Sequence, residues 1–315
     1  MAGPQPRAAV LAPSPWLETL IEGPAGRPEI HLHAAGQGFW IGRLLSALGL
    51  EVTMCATFGG EIGMLIRALC EQLPIEVRGV TTAGSSGCYV HDRRGTERVE
   101  LASVRPPPLT RHEIDDLYGM VLVAGLDADV VVLGGPGEQE DVIGPDVYAR
   151  LAADLRANGR RVVADLAGGH LEAALQGGVS VVKVSADELE ATGAVVDKSP
   201  AALQRALRDL CSRGADHAVV SRAEAGALAL VDGKLWEVHA PRLRIVEARG
   251  AGDSLTAGLA AGLAFHGKVD DALRLGVVAG ALNVTRRGLA SGTREEIERL
   301  CSHIELRRME QLNSN

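Results

Sequence analysis

The chain has 315 residues and a formal net charge of −8, which argues against a nucleic-acid partner, because such binding depends on Lys and Arg neutralising phosphates. No apolar run reaches bilayer length, the Met1–Arg7 stretch lacks an apolar signal core, and five scattered cysteines (Cys55, Cys70, Cys88, Cys211, Cys301) form no C-x-x-C pair. The expectation is a soluble cytoplasmic protein with reduced thiols, one α/β domain over residues 1–315 and no membrane partner.

In chain order, Glu29–His33 reads as a strand. Gly87–His91 and Glu97–Leu101 flank the turn Asp92–Gly95 as a hairpin. These strands, from about 10–35 and 84–104, are predicted to form a small sheet that covers a site as a lid. Pro106-Pro107-Pro108 then stiffens the return to the main body. The second half alternates Val-rich strands with helices. Val130–Leu133 ends at Gly134-Gly135-Pro136-Gly137, and a helix follows over about Pro145–Asn158. The next strands are Arg161–Asp165 and Val179–Lys183. Helices near Asp187–Ala191 and Ser199–Ser212 precede the strand Ala218–Ser221. Continuous Val runs suit strands covered on both faces, as in a parallel sheet with crossover helices. Ligands in such sheets sit at the carboxyl ends of the strands, where Asp165, Lys183 and Ser221 fall. The polar tail Arg308–Asn315 is expected to fray.

The most informative segment is Arg249-Gly250-Ala251-Gly252-Asp253-Ser254, which runs into the small-residue helix starting Thr256-Ala257-Gly258. Glycines let the backbone turn tightly and approach a ligand, and a helix starting there aims unpaired N–H groups at an anion. Asp253 would repel phosphate unless it acts on the neighbouring group, as a base for a hydroxyl that attacks phosphorus. The plainer reading of the same carboxylate is a helix cap.

The order of motifs resembles the ribokinase-like carbohydrate kinases of the phosphofructokinase B (PfkB) branch over nearly the whole chain. Gly250–Ser254 is similar to the family's C-terminal signature, and Ala35-Gly36-Gln37-Gly38 with Gly42–Gly49 to its N-terminal one. Gly134–Gly137 resembles its Gly-Ser-Leu-Pro-Pro-Gly turn. Lys183–Leu189 resembles Lys-Pro-Asn-x-x-Glu-Leu, and Ser221–Ala227 resembles Ser-Leu-Gly-x-x-Gly-Ala. Gly288 with Gly292–Glu296 matches the approach to the C-terminal helix. The resemblance implies a three-layer αβα sandwich with a mostly parallel sheet and a β-sheet lid. It also implies ATP and Mg²⁺, a small hydroxylated acceptor, and homodimers through the lid. Asp253 would be the base, with the N–H groups of Gly250, Ala251 and Gly252 facing the transferred phosphoryl group. Nucleotide contacts would come from Lys183, Ser185, Glu188, Ser221, Ala223, Gly226 and Asn283, with Glu188 reaching Mg²⁺ through water.

The acceptor side departs from the family. Its Asn-Pro-Ala-Ile-Asp becomes Ala12-Pro13-Ser14-Pro15-Trp16, and its Gly-Gly-Lys-Gly-x-Asn becomes Ala35–Trp40. Trp16 and Trp40, with Gly36, Gln37 and Gly38, therefore stand at sugar-binding positions, and Ser86 replaces an arginine of the lid strand. A two-residue shift would put Glu18 in place of Trp16. Indole offers one N–H and a wide apolar face, so indoles lining the pocket imply a flatter acceptor without a phosphate. The alternatives are indoles that merely pack the lid–body junction, an ordinary phosphosugar kinase gripping phosphate with Arg93, Arg94, Arg98 or Arg105, and a non-catalytic nucleotide-binding homologue.

Overall fold

The structure is a computed structural model that describes residues 5–24, 26–95, 98–137, 141–240, 243–286, 290 and 292–309. Its first half contains β1 (Arg7–Ala12), β2 (Trp16–Glu22), β3 (Glu29–Ala35), α1 (Gln37–Ala47), β4 (Glu51–Gly59), α2 (Gly60–Cys70), β5 (Glu76–Thr82), β6 (Gly87–Asp92), β7 (Val99–Val104) and α3 (Arg111–Leu126). The regular alternation follows with β8 (Val130–Gly134), α4 (Pro145–Ala157), β9 (Arg161–Asp165), α5 (Gly168–Gly177), β10 (Val179–Ser185), α6 (Ala186–Ala191), α7 (Pro200–Ser212) and β11 (Ala215–Ser221). The chain closes with β12 (Ala227–Val231), β13 (Lys234–His239), α8 (Ala251–His266), α9 (Val269–Asn283), α10 (Arg294–Cys301) and β14 (Glu305–Arg308).

The main sheet has ten strands in the order β14-β13-β12-β11-β10-β9-β8-β1-β4-β5. Its pairs from β5 to β11 are parallel, and β12 to β14 add an antiparallel edge. The Val runs are buried on both faces, as continuous apolar strands require. α1, α8 and α9 pack on one face, while α3, α4, α5 and α7 pack on the other. The small sheet, in the order β3-β2-β6-β7, stands apart, with a register shift at Val90/His91.

Two predicted boundaries move. Val10–Ala12 belong to β1 in the middle of the main sheet rather than to the small one, because their burial on both faces suits an interior strand. Arg308 is held in β14 opposite Trp236 rather than frayed. Glu97, Gly288 and residues 310–315 lie outside the described residues. Among the described residues, no helix is long and apolar enough to cross a membrane.

Candidate active site

The site begins where the chain enters α8. Gly250 has φ 72°, a left-handed conformation costly for any residue with a Cβ, and it caps the helix. The first bond across the turn is Ser254 N–H to the Gly250 carbonyl at 2.9 Å, so the preceding N–H groups have no partner within the helix. Asn283, buried at the end of α9, braces this turn. Its Nδ2 donates to the Arg249 carbonyl at 2.6 Å, and its Oδ1 accepts from Ala290 N–H at 2.9 Å. Each end of its amide thus makes a bond to protein.

α8 is fixed by close packing on α9. A Cβ on Gly258 would come within 2.6 Å of the Gly276 Cα, so the two backbones approach as only glycine allows. Thr256, one turn into α8, donates to Asp165 Oδ2 at 2.5 Å. Asp165 also holds the Lys183 ammonium at 3.1 and 3.2 Å, and all three side chains are buried. Lys183 lies at the end of β10 as anticipated, but it faces inward against the α8 turn and Asp165 and is closed off from solvent.

Asp253 occupies the first turn of α8 and keeps partial exposure in a crowded setting. Burial pushes its carboxyl up to about 7, reinforced by the negative charge of Asp165 and opposed by Lys183 and Arg249. The N-cap of α8 is Gly250, and Asp253 lies inside the first turn, so Asp253 is not the N-cap residue. A base operating near neutral pH needs this kind of environment.

Glu188 and Ser185 form a capping box on α6: Ser185 N–H donates to Glu188 Oε2 at 2.7 Å, and Glu188 N–H donates to Ser185 Oγ at 3.1 Å. Glu188 keeps Oε1 uncommitted among the described residues, and its charge is felt at Asp165, Lys183 and Asp253. Ser221 ends β11, and the following turn places Ala223 at φ 47° and Gly226 at φ 79°. These positions lie along the carboxyl end of the sheet, beside β10 in parallel register.

The predicted acceptor residues divide. Trp16 packs its ring 5.5 Å from Tyr89 and close over Gly87 on the small sheet. Trp40 is instead only 8% exposed, set edge-on to Phe39 within the core of the α1 face. As a residue on the first turns of α1 it follows its buried neighbours Phe39 and Ile41 inward, so it serves packing rather than the pocket. Ser86 is also buried, with Oγ accepting from Gly59 N–H at 3.0 Å, a loop-tying role. Gln37 turns its Oε1 to Gly135 N–H at 2.7 Å, linking the start of α1 to the turn after β8. Gly36, at φ 110°, precedes α1, and a Cβ on Gly38 would clash with Ala12.

Glu18, the alternative to Trp16 under the two-residue shift, joins the site, as do Arg249 and Thr256, for which no contact was predicted. Glu18 lies on the same strand face as Trp16 and beside Tyr89, a period-two relationship readable once β2 is known. It is 5% exposed, and its Oε1 meets Arg98 in a close ion pair, Arg249 at 3.8 Å and His91 at 4.0 Å. Arg249 is felt by both Glu18 and Asp253, so it joins the small sheet to the start of α8. A separate cleft of about 310 Å³ lies between α5, α6 and α7; Glu188 lines it, but Asp253 and Trp16 do not.

A mostly parallel ten-stranded sheet covered by helices, a detached small sheet and a glycine turn feeding a helix beneath it define the ribokinase-like class of α/β kinases. Within that class, the chain belongs to the pfkB family of carbohydrate kinases, whose model matches residues 22–296. It is thus a phosphotransferase with a hydroxyl acceptor. A 1-phosphofructokinase of Vibrio cholerae is 27% identical over 275 residues, covering 87% of this chain and 86% of that protein. Phosphofructokinase-2 of Escherichia coli, solved with potassium, superposes with a TM-score of 0.83 at 22% identity, over 95% of this chain and 99% of the other. Ribokinase of Arabidopsis thaliana, solved with ribose and ATP, gives a TM-score of 0.73 at 18% identity, over 94% and 99% of the two chains.

Proposed function

We propose that the protein transfers the γ-phosphoryl group of ATP to a hydroxyl of a sugar-like acceptor that carries no phosphate, with Asp253 as the base. The observation that carries the chemistry is Asp253 in the first turn of α8, its carboxyl pushed up to about 7 beside N–H groups with no intrahelical partner. The carboxylate takes the proton of the acceptor hydroxyl as its oxygen attacks phosphorus. The N–H groups of Gly250, Ala251 and Gly252 face the charge that develops on the phosphoryl oxygens. Lys183, behind Gly252, adds positive charge to that turn, while Asp165 and Thr256 hold it in place.

ATP would lie along the carboxyl end of β10 and β11, over Ser185, Ser221, Ala223 and Gly226. Mg²⁺ would neutralise the phosphates, and Glu188 suits it through water, because Mg²⁺ keeps several waters and needs few protein ligands. The small sheet would act as a lid over the acceptor. Trp16 and Tyr89 offer the acceptor an aromatic wall, which favours a molecule with a flat apolar face. Release of ADP from ATP–Mg²⁺ with a panel of sugars, sugar phosphates and nucleosides tests the reading. Preference for fructose 1-phosphate or fructose 6-phosphate over every unphosphorylated acceptor would overturn its acceptor half.

The second reading, an ordinary phosphofructose kinase, is favoured by the resemblance to the Vibrio cholerae 1-phosphofructokinase. For assembly, we propose a homodimer through the outer face of the small sheet. Ile30, Leu32 and Val104 project there with exposures of 69%, 41% and 55%, an apolar surface suited to a second copy. A monomeric mass in solution at micromolar concentration would refute the dimer.

A further inference from the structure

We propose that Glu18 is a built-in counter-anion: it occupies Arg98 and Arg249 and thereby selects neutral hydroxylated acceptors against phosphorylated ones. The inference rests on the reading above for the location of the acceptor, between the small sheet and the start of α8.

The guanidinium groups on this side of the site are already matched. Arg98 pairs closely with Glu18 Oε1 and also donates to His91 Nδ1 at 2.8 Å. Burial lowers the pKa of His91, so the neutral ring presents a lone pair for that bond. Arg249 faces the same Oε1 at 3.8 Å. One step further along the lid, Arg93 is held by Glu247 at 3.1 Å and Glu22 at 3.8 Å. Each of these arginines would otherwise suit a phosphate, since a planar guanidinium binds it through two parallel hydrogen bonds.

An acceptor phosphate arriving here must break the half-buried Arg98–Glu18 ion pair and then lie beside the displaced Glu18 carboxylate. Both effects oppose it, the second as like-charge repulsion in a poorly solvated space. A neutral polyol meets neither obstacle. Both arginines approach Oε1, and among the described residues Oε2 has no hydrogen-bond partner, so it is open to an acceptor hydroxyl. The buried Arg98 Nε also lacks a partner among the described residues, a donor that a phosphate would reach once Glu18 is neutral.

Binding of fructose 1-phosphate and inorganic phosphate to wild type, Glu18→Gln and the double variant Glu18→Gln/Arg98→Met tests the proposal. Tryptophan fluorescence and thermal shift report binding without any need for turnover. The expectation is that Glu18→Gln binds fructose 1-phosphate at least tenfold more tightly than wild type, with that gain lost in the double variant. Equal or weaker binding by Glu18→Gln, or a gain that survives Arg98→Met, overturns it. Should Glu18→Gln be unstable, inorganic phosphate should raise its Tm by more than that of wild type; equal rises also overturn the proposal. Failure of the kinase reading would show separately, as no ADP release from wild type with any acceptor, while these binding comparisons would stand.

Discussion

Lys183 and Gly252 meet back to back: a Cβ on Gly252 would come within 2.9 Å of the Lys183 ammonium. Such a contact is cheap when the side chain can swing away, but this one is buried and tied to Asp165 through both carboxylate oxygens. Gly252→Ala should therefore push the first turn of α8 outward instead of displacing Lys183. The expected result is loss of turnover by tenfold or more with a stability cost of about 1–3 kcal/mol. Steady-state ADP release and urea unfolding of the same preparation check both halves; unchanged turnover would show that the turn tolerates the methyl group.

The buried pair itself predicts a non-additive result. Removing Lys183 alone (Lys183→Met) strands the Asp165 carboxylate in the interior, a loss expected at about 3–5 kcal/mol. Removing both charges with Lys183→Met/Asp165→Asn relieves that penalty, so the double variant should be more stable than the single one. It should nevertheless turn over slowly, because the α8 turn has lost the cation behind it. Chemical denaturation of the three proteins reads the coupling, and a double variant no more stable than Lys183→Met would contradict it.

The shifted carboxyl of Asp253 fixes the sign of two pH effects. As the base it must be ionised, so kcat/KM should rise with pH through an apparent pKa near 7 and then level off. For stability, a raised folded-state pKa favours the protonated form. Its contribution is present below the ordinary Asp range and is lost as pH climbs through about 7. Asp253→Asn should accordingly be more stable than wild type at pH 8, by up to about 4 kcal/mol, with the gap closing towards pH 4. The same variant should keep ATP binding while losing turnover by about 10²–10⁴-fold. Thermal unfolding and ADP release across pH 4–9 test both, and a flat pH–rate profile would remove Asp253 as the base.

What the sequence disclosed follows from the range of the interactions involved. The parallel strands were legible because burial on both faces writes itself as uninterrupted Val runs, as in β8 and β9. The turn at Gly250–Asp253 was legible because its geometry is local and needs glycine. Side-chain direction was not. Lys183 at a strand end looks the same in sequence whether it faces a ligand or the Asp165 carboxylate on the neighbouring strand, and only the register of β9 against β10 decides. Asn283 likewise became a brace because α9 ends beside the Arg249 carbonyl, far away in sequence. Glu18 was legible only as the alternative to Trp16, and its ion pairing was hidden because its cations come from the segment before β7 and the turn before α8.

Trp16 and Trp40 are the place where that distinction can be measured. Both stand at positions aligned with sugar contacts, yet one packs on Tyr89 in the small sheet and the other lies 8% exposed against Phe39 in the core. Trp40→Ala leaves a cavity on the α1 face, so it should cost about 3–5 kcal/mol of stability while leaving acceptor KM within about twofold once the protein is folded. Trp16 is less buried, so its removal should cost less stability but raise acceptor KM by about tenfold, since an aromatic wall acts through contact with the bound molecule. ATP KM should be unmoved in both, because neither indole lies along β10 and β11. Measuring the two Michaelis constants beside the unfolding free energy separates the roles. A Trp16→Ala enzyme with an unchanged acceptor KM would make that indole packing as well, and would return the choice of acceptor to the charged face around Glu18.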